Sequence, residues 1–208
     1  MAIADIYNAV LNYEMDRVKQ LVQAELDSGT DISTILNQGL ISTMDKVGQL
    51  FSEGKLFIPE MLMTARAMQS GMEILKPHLS KTEAKAKGVI VIGTVKGDLH
   101  DIGKKLVGMM LEGAGFQVVD LGVDVEIQKF IVAAKNSNAG IIALSALLTT
   151  TMPSMAEMVK LIKENNLPYK TIIGGAPVTQ EFADKIGADG YGTDAPGAVQ
   201  LAKQLLKV

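Results

Sequence analysis

The chain has 208 residues, 48% hydrophobic and 21% charged, with a net charge of -3, a globular composition that gives no electrostatic reason to expect nucleic acid. Without cysteine it has no disulfide, thiolate metal site or cysteine nucleophile, which fits a cytoplasmic address. The acidic start MAIADIYNAVLNYEMDR does not read as a signal peptide and no apolar run reaches membrane-spanning length, so no membrane association is expected.

The first part of the chain, 1–78, repeats apolar side chains at helical spacing. Segments near 3–12 and 15–27 are followed by Ile32, Ile35, Leu36, Leu40, Met44, Val47, Leu50 and Phe51, then by Met61, Leu62, Ala65, Met68, Met72 and Leu75. Gly54 separates the last two helices, and Pro59 suits the first turn of the final one. Four helices packed as a bundle are expected. The stretch KPHLSKTEAKAKG, ending at Gly88, is rich in lysine and polar residues and reads as a solvated connection, which places a linker at 79–88.

From 89 to 208 the pattern changes. Short apolar runs rich in β-branched residues (GVIVIGTV, FQVVDLG, GIIALSA, KTIIGG and a weaker DGYGT) alternate with helical segments near 101–113, 125–136, 153–165, 178–186 and 195–206. Five strand–helix alternations imply an α/β domain of flavodoxin or Rossmann type: a parallel five-stranded sheet with helices on both faces. Ligands of such sheets lie beyond the carboxyl ends of the strands. The loops there are KGDLHDIG after the first strand, SALLTTTMP after the third and GGAPVT after the fourth.

His100 stands in the first of these loops, two residues after Asp98 and three before Gly103, a D-x-H-x-x-G arrangement. A neutral imidazole can bind a transition metal through one nitrogen while a carboxylate takes the proton of the other and fixes the tautomer. Gly103 would let a bulky planar ligand approach the first helical turn. A surface His–Asp pair, or a helix capped by Asp98 or Asp101, accounts for the same few residues. A conventional zinc or iron site needs several protein ligands, and His78 is the only other histidine. A metal already enclosed by a macrocycle needs only an axial ligand, which leaves haem or a corrin.

GDLHDIG, followed by Ser145-Ala146-Leu147 and by Gly174-Gly175, resembles the three-part cobalamin-binding pattern D-x-H-x-x-G, S-x-L and G-G of methionine synthase and related corrinoid proteins, in order and in spacing. The resemblance implies a corrinoid cofactor (cobalamin, methylcobalamin) bound base-off/His-on, with its nucleotide tail in a slot of the α/β domain. By it His100 is the lower axial cobalt ligand and Asp98 its proton partner. Ser145 and Leu147 line the slot, and Gly174 and Gly175 keep it open. Thr151 falls where the family places the hydroxyl of a His–Asp–hydroxyl relay, and Thr149 joins it as a cofactor-binding candidate. LFSEGKLFIPEMLMTARAM, residues 50–68, is similar to the helical cap of the methyltransferase branch, in which Phe51 and Ile58 match the two apolar residues over cobalt. The same side chains also suit a bundle core.

The family implies a corrinoid subunit, not catalytic alone, that shuttles a methyl group. Its partners would be a substrate-specific corrinoid methyltransferase, a methylcorrinoid:coenzyme M or tetrahydrofolate methyltransferase and a reductive activating protein. The donors of such systems include methylamines, methanol, glycine betaine and methoxylated aromatics. A B12-binding sensor built from the same domains is the alternative, but it would need an output module for which 208 residues leave little room. A corrin-free receiver domain is disfavoured by Ser145, where it would want a phosphorylatable Asp.

Overall fold

The computed structural model describes residues 3–79 and 86–208. The chain divides into two compact units, Met1–Ala86 with Gly113–Gly115, and Lys87–Glu112 with Phe116–Val208. Most of the expected connection at 79–88, residues 80–85, lies outside the described residues.

The first unit is helical. Helices α1 (Ile3–Leu11) and α2 (Met15–Asp27) are followed by a single turn, α3 (Ile32–Thr34), capped by the Asp31 carboxylate, which accepts the Thr34 N–H at 3.0 Å. A π-helical segment, Ile35–Ile41, then leads directly into α4 (Ser42–Ser52), and α5 runs from Ile58 to Leu79. The periodicity that predicts one continuous third helix therefore spans three pieces of different winding. Helix α5 opens on one half of a capping box: the Glu60 carboxylate accepts the Phe57 N–H at 2.8 Å, and the Phe57 carbonyl accepts the first helical bond, from the Met61 N–H, at 3.0 Å. Ile6, Val18, Leu40, Met61, Met68 and Leu75 are fully buried and form the core that the helical spacing requires.

The second unit is a five-stranded, wholly parallel sheet in the order β2-β1-β3-β4-β5. Its strands are β1 (Val89–Thr94), β2 (Gln117–Asp120), β3 (Ile141–Ser145), β4 (Lys170–Gly174) and β5 (Gly190–Gly192). Helices α6 (Ile102–Gly113), α7 (Ile127–Ser137), α8 (Met152–Glu164), α9 (Gln180–Ile186) and α10 (Ala195–Leu206) alternate with them. Strands β1 and β3 are buried almost end to end, as strands covered on both faces must be. Val91, Ile142, Leu144 and Ile173 belong to one core cluster with Phe130, Ala134, Met155 and Met158.

Register brings the strand ends level: Thr94 stands beside Ser145, Ser145 beside Gly174 and Gly174 beside Gly192. The chain leaves β1 toward β2 on one side and later returns to β3 on the other, so the crevice at the switch point opens between the loops after β1 and β3. Those two loops carry His100 and Leu147.

At the other flank of β1, the Lys104 ammonium on α6 is buried against both carboxylate oxygens of Asp120 at the end of β2, while Asp120 itself is 40% exposed. This pair ties the start of α6 to the edge of the sheet. Lys104→Met is expected to lower stability by about 1–2 kcal/mol, at the small end for a broken buried pair because water can still reach Asp120; urea unfolding of the full chain measures it.

Candidate functional site

Strand β1 ends in a tight turn whose geometry is set by Gly97 at a φ of +82°, a conformation glycine adopts without steric cost. The turn drives the Asp98 side chain inward, where it is completely shielded from solvent, and leaves the next residues on the surface. His100 keeps 51% of its side chain exposed. The Thr94 hydroxyl donates to the His100 carbonyl at 2.8 Å and fixes the loop from below.

Asp98 is the hub. Its Oδ1 accepts the His100 backbone N–H at 3.1 Å and lies 2.8 Å from His100 Nδ1. Its Oδ2 accepts the Leu147 N–H at 2.7 Å, the Leu148 N–H at 3.3 Å and the Thr151 hydroxyl at 2.8 Å. The Thr151 hydroxyl also lies 2.8 Å from the Leu148 carbonyl, so its single proton is shared between two acceptors. Burial by itself would push the pKa of Asp98 up. The N–H of Leu147, the His100 ring and N–H and the Thr151 hydroxyl together outweigh it and hold the carboxyl well below the usual carboxylate range.

An ionised carboxylate can only accept, so the proton between it and the imidazole belongs on Nδ1, and the Nε2 lone pair is left facing outward. The chain Thr151 hydroxyl, Asp98 carboxylate, His100 ring thus presents one oriented nitrogen at the mouth of the switch-point crevice. Around it stand exposed apolar side chains: Leu99 (72% exposed) and Ile102 on one side, Leu147 and Leu148 on the other.

The other residues singled out by the sequence take separate places. A Cβ at Gly103 would meet nothing within 4 Å, so the first turn of α6 is open to a close neighbour. Ser145 pairs with Thr94 and Gly174 in the level row of strand ends. Thr149 is exposed at the tip of the β3–α8 loop, and the network on Asp98 uses Thr151. Gly174 accepts the Ala146 N–H at 3.1 Å, and Gly175, at a φ of +132°, has no room for a side chain because a Cβ would overlap the Ala146 carbonyl. The glycine at 175 is therefore demanded by the protein's own backbone, in addition to the open slot that the motif suggests. Phe51 is half-buried near the end of α4, and Ile58, 50% exposed, begins α5.

Sequence reasoning passed over the Leu148 N–H and Thr94, whose parts depend on tertiary position, and over Asp124. The donor chemistry fits a corrin. Among the described residues no group of three or more His, Asp or Glu side chains could hold a bare metal ion. The site instead offers one oriented imidazole with an apolar rim, which suits a metal whose equatorial positions a macrocycle already fills. Among the described residues no helix is long and apolar enough to cross a membrane.

Comparison with known proteins finds matches to both halves of the chain. Residues 88–200 match the B12 binding domain family, and residues 2–76 match a second B12 binding domain family. Dimethylamine corrinoid protein 1 of Methanosarcina acetivorans is 47% identical over 98% of this chain and 97% of its own length. Trimethylamine corrinoid protein 1 of the same organism is 42% identical over 98% and 96%. Among solved structures, the methanol:cobalamin methyltransferase complex MtaBC from Methanosarcina barkeri matches with a TM-score of 0.88 at 33% identity, covering 99% of this chain and 79% of that one. With both halves matched in this way, the chain belongs to the B12-binding corrinoid proteins associated with corrinoid methyltransferases.

Proposed function

We propose that this protein carries a methyl group, on a corrinoid bound base-off with His100 as lower axial ligand, between a substrate-specific corrinoid methyltransferase and a second methyltransferase that uses coenzyme M or tetrahydrofolate. The observation that carries the proposal is the His100 ring itself, tied through Nδ1 to the buried Asp98 carboxylate and open at Nε2. When bound, the corrinoid supplies the cobalt centre that takes up and gives up the methyl group.

The rest of the work belongs to the chain. Asp98 holds the Nδ1 proton and increases the electron donation of Nε2. Leu147, His100 and Thr151 keep the carboxylate ionised, and with the Leu148 N–H they stop it from turning. Leu99, Ile102, Leu147 and Leu148 supply an exposed apolar rim that a bound corrin would cover, shielding the ligand nitrogen from water. Ser145, Thr149, Gly103, Gly174 and Gly175 contribute the walls and strand ends of the tail-binding side, and Phe51 and Ile58 supply apolar contacts to the methyl face. A reductive activating protein would restore oxidised cofactor. Relatives named for dimethylamine and trimethylamine stand at higher identity than the methanol system, which makes a methylated amine the donor to test first.

The purified chain, labelled with 15N-histidine and reconstituted with hydroxocobalamin, is expected to hold one equivalent and, on one-electron reduction, to give a cobalt paramagnetic resonance spectrum split by a single 15N nucleus, which the cofactor's own unlabelled base cannot produce. His100→Ala is expected to lose that splitting and at least about tenfold in corrinoid affinity. A chain that retains no corrinoid, or a mutant that keeps the 15N splitting, would refute the proposal.

A further inference from the structure

The Asp98 carboxylate is fastened from the β3 side, yet the backbone that carries it is fastened from the opposite side. Three consecutive residues of the turn are each tied to the segment between β2 and α7. The Lys96 ammonium pairs with the Glu126 carboxylate at 2.6 Å. The Gly97 N–H donates to Asp124 Oδ1 at 2.7 Å. The Asp98 carbonyl accepts the Asp124 N–H at 2.9 Å. Asp124 therefore grips the turn twice, once with its side chain and once with its backbone. It does so at a φ of +52°, which Asp and Asn tolerate better than other residues with a Cβ. The bridge between Val95 and Val125 keeps the two segments parallel just before the grip.

Resting on the reading of His100 as cobalt ligand, we infer that Asp124 is a positioning residue for the axial histidine: it holds the Lys96–Gly97 and Asp98–Leu99 peptide units on either side of the Asp98 Cα and, through them, sets the angle at which Asp98 meets the His100 ring. Lys96 and Glu126 are exposed, with side chains 59% and 52% accessible, so their pair adds little. The Gly97 N–H has a charged acceptor in Asp124, and such a bond fixes geometry more firmly than a neutral one. A carboxylate that lies outside the Asp98 network thereby governs the orientation of its main member. Partners of this outer kind alter metal affinity by about 10–100-fold in other sites.

The test compares the wild type with Asp124→Gly, which keeps the positive φ and the N–H to Asp98 but deletes the carboxylate, and with Asp124→Asn, whose amide oxygen can still accept from Gly97. Each full chain is titrated with hydroxocobalamin, the bound cofactor is reduced, and its resonance spectrum is recorded beside the thermal unfolding of the cofactor-free protein. With 15N-histidine in every chain, Asp124→Gly is expected to bind about tenfold more weakly and to show a bound population without the 15N splitting. Asp124→Asn, whose bond to Gly97 is neutral, is expected to fall between Asp124→Gly and the wild type in both, and all three chains are expected to melt within a few degrees of one another. Wild-type affinity and a fully 15N-split spectrum in Asp124→Gly would overturn the inference, as would an affinity loss matched by a collapse in melting temperature. His100→Ala, run alongside, separates this failure from that of the carrier reading: if the wild type shows no 15N splitting for His100→Ala to remove, it is the ligand assignment that has failed.

Discussion

Asp98→Asn is expected to cost about 10–100-fold in corrinoid affinity although it leaves the number of non-hydrogen atoms in the side chain unchanged. The reason lies in the polarity of the five donors around that carboxylate. If the amide oxygen faces Leu147, Leu148 and Thr151, the amide NH2 faces the His100 N–H and Nδ1. The ring must then accept at Nδ1 and carry its proton on Nε2, which removes the lone pair offered to cobalt. If the amide is turned over, NH2 faces the N–H groups of Leu147 and Leu148, and donors oppose donors in a site closed to water. Either arrangement also lowers the stability of the cofactor-free chain by about 2 kcal/mol, the cost of burying a donor with no acceptor. Corrinoid titration with urea unfolding separates the two effects. Wild-type affinity in Asp98→Asn would show that the carboxylate does not fix the tautomer.

Gly175→Ala is the second large effect, and it falls on the fold. A Cβ there would overlap the Ala146 carbonyl oxygen and stand 2.8 Å from its carbon, on a residue with a φ of +132°. Neither atom is the end of a flexible side chain. The ends of β3 and β4 would have to part, breaking the hydrogen bond from the Ala146 N–H to the Gly174 carbonyl. Overpacking and backbone strain of about 1–3 kcal/mol each imply a loss of about 4 kcal/mol. Urea unfolding followed by circular dichroism measures it, and a change under about 1 kcal/mol would mean that the turn relaxes far more easily than its packing indicates. By the same movement Leu147 and Leu148 would withdraw from Asp98, so the site should weaken with the sheet.

The α/β half was legible because each layer of its construction leaves a separate mark on the sequence. Continuous apolar runs mark strands buried on both faces, intervening amphipathic segments mark the covering helices, and parallel pairing follows from their alternation. The expected helix near 125–136 begins later, at Ile127, because Asp124 and Val125 are engaged by the turn after β1. In the helical half, the apolar spacing from Ile32 to Phe51 gave no sign of the π-helical stretch Ile35–Ile41. A local change of winding keeps apolar residues on one side and so hides within the tolerance of a helical pattern.

The site was legible in its chemistry and less so in its wiring. His100 and Asp98 stand in a motif and Thr151 is named by the family resemblance alone, and the structure brings all three into one hydrogen-bonded chain. Leu147 enters through its backbone N–H, to which its side-chain type gives no clue. Asp124 carries no motif at all: its part depends on a φ and on the approach of two loops, which exist only after the sheet has formed.

The strand order also has a consequence for how the molecule comes into being. Every pairing in this sheet is parallel and joined through crossovers, so each must await closure of a long loop. During synthesis the helical unit emerges first and can settle while the sheet is still incomplete. Strand β1 emerges early yet needs β2 and β3 as its two neighbours. Asp98 must wait as well: its last partner, Thr151, lies 53 residues downstream. Until that residue arrives the carboxylate has no reason to leave water, so the buried anion at the centre of the site is among the late events of folding, and the ligand nitrogen acquires its orientation only when the switch-point crevice closes.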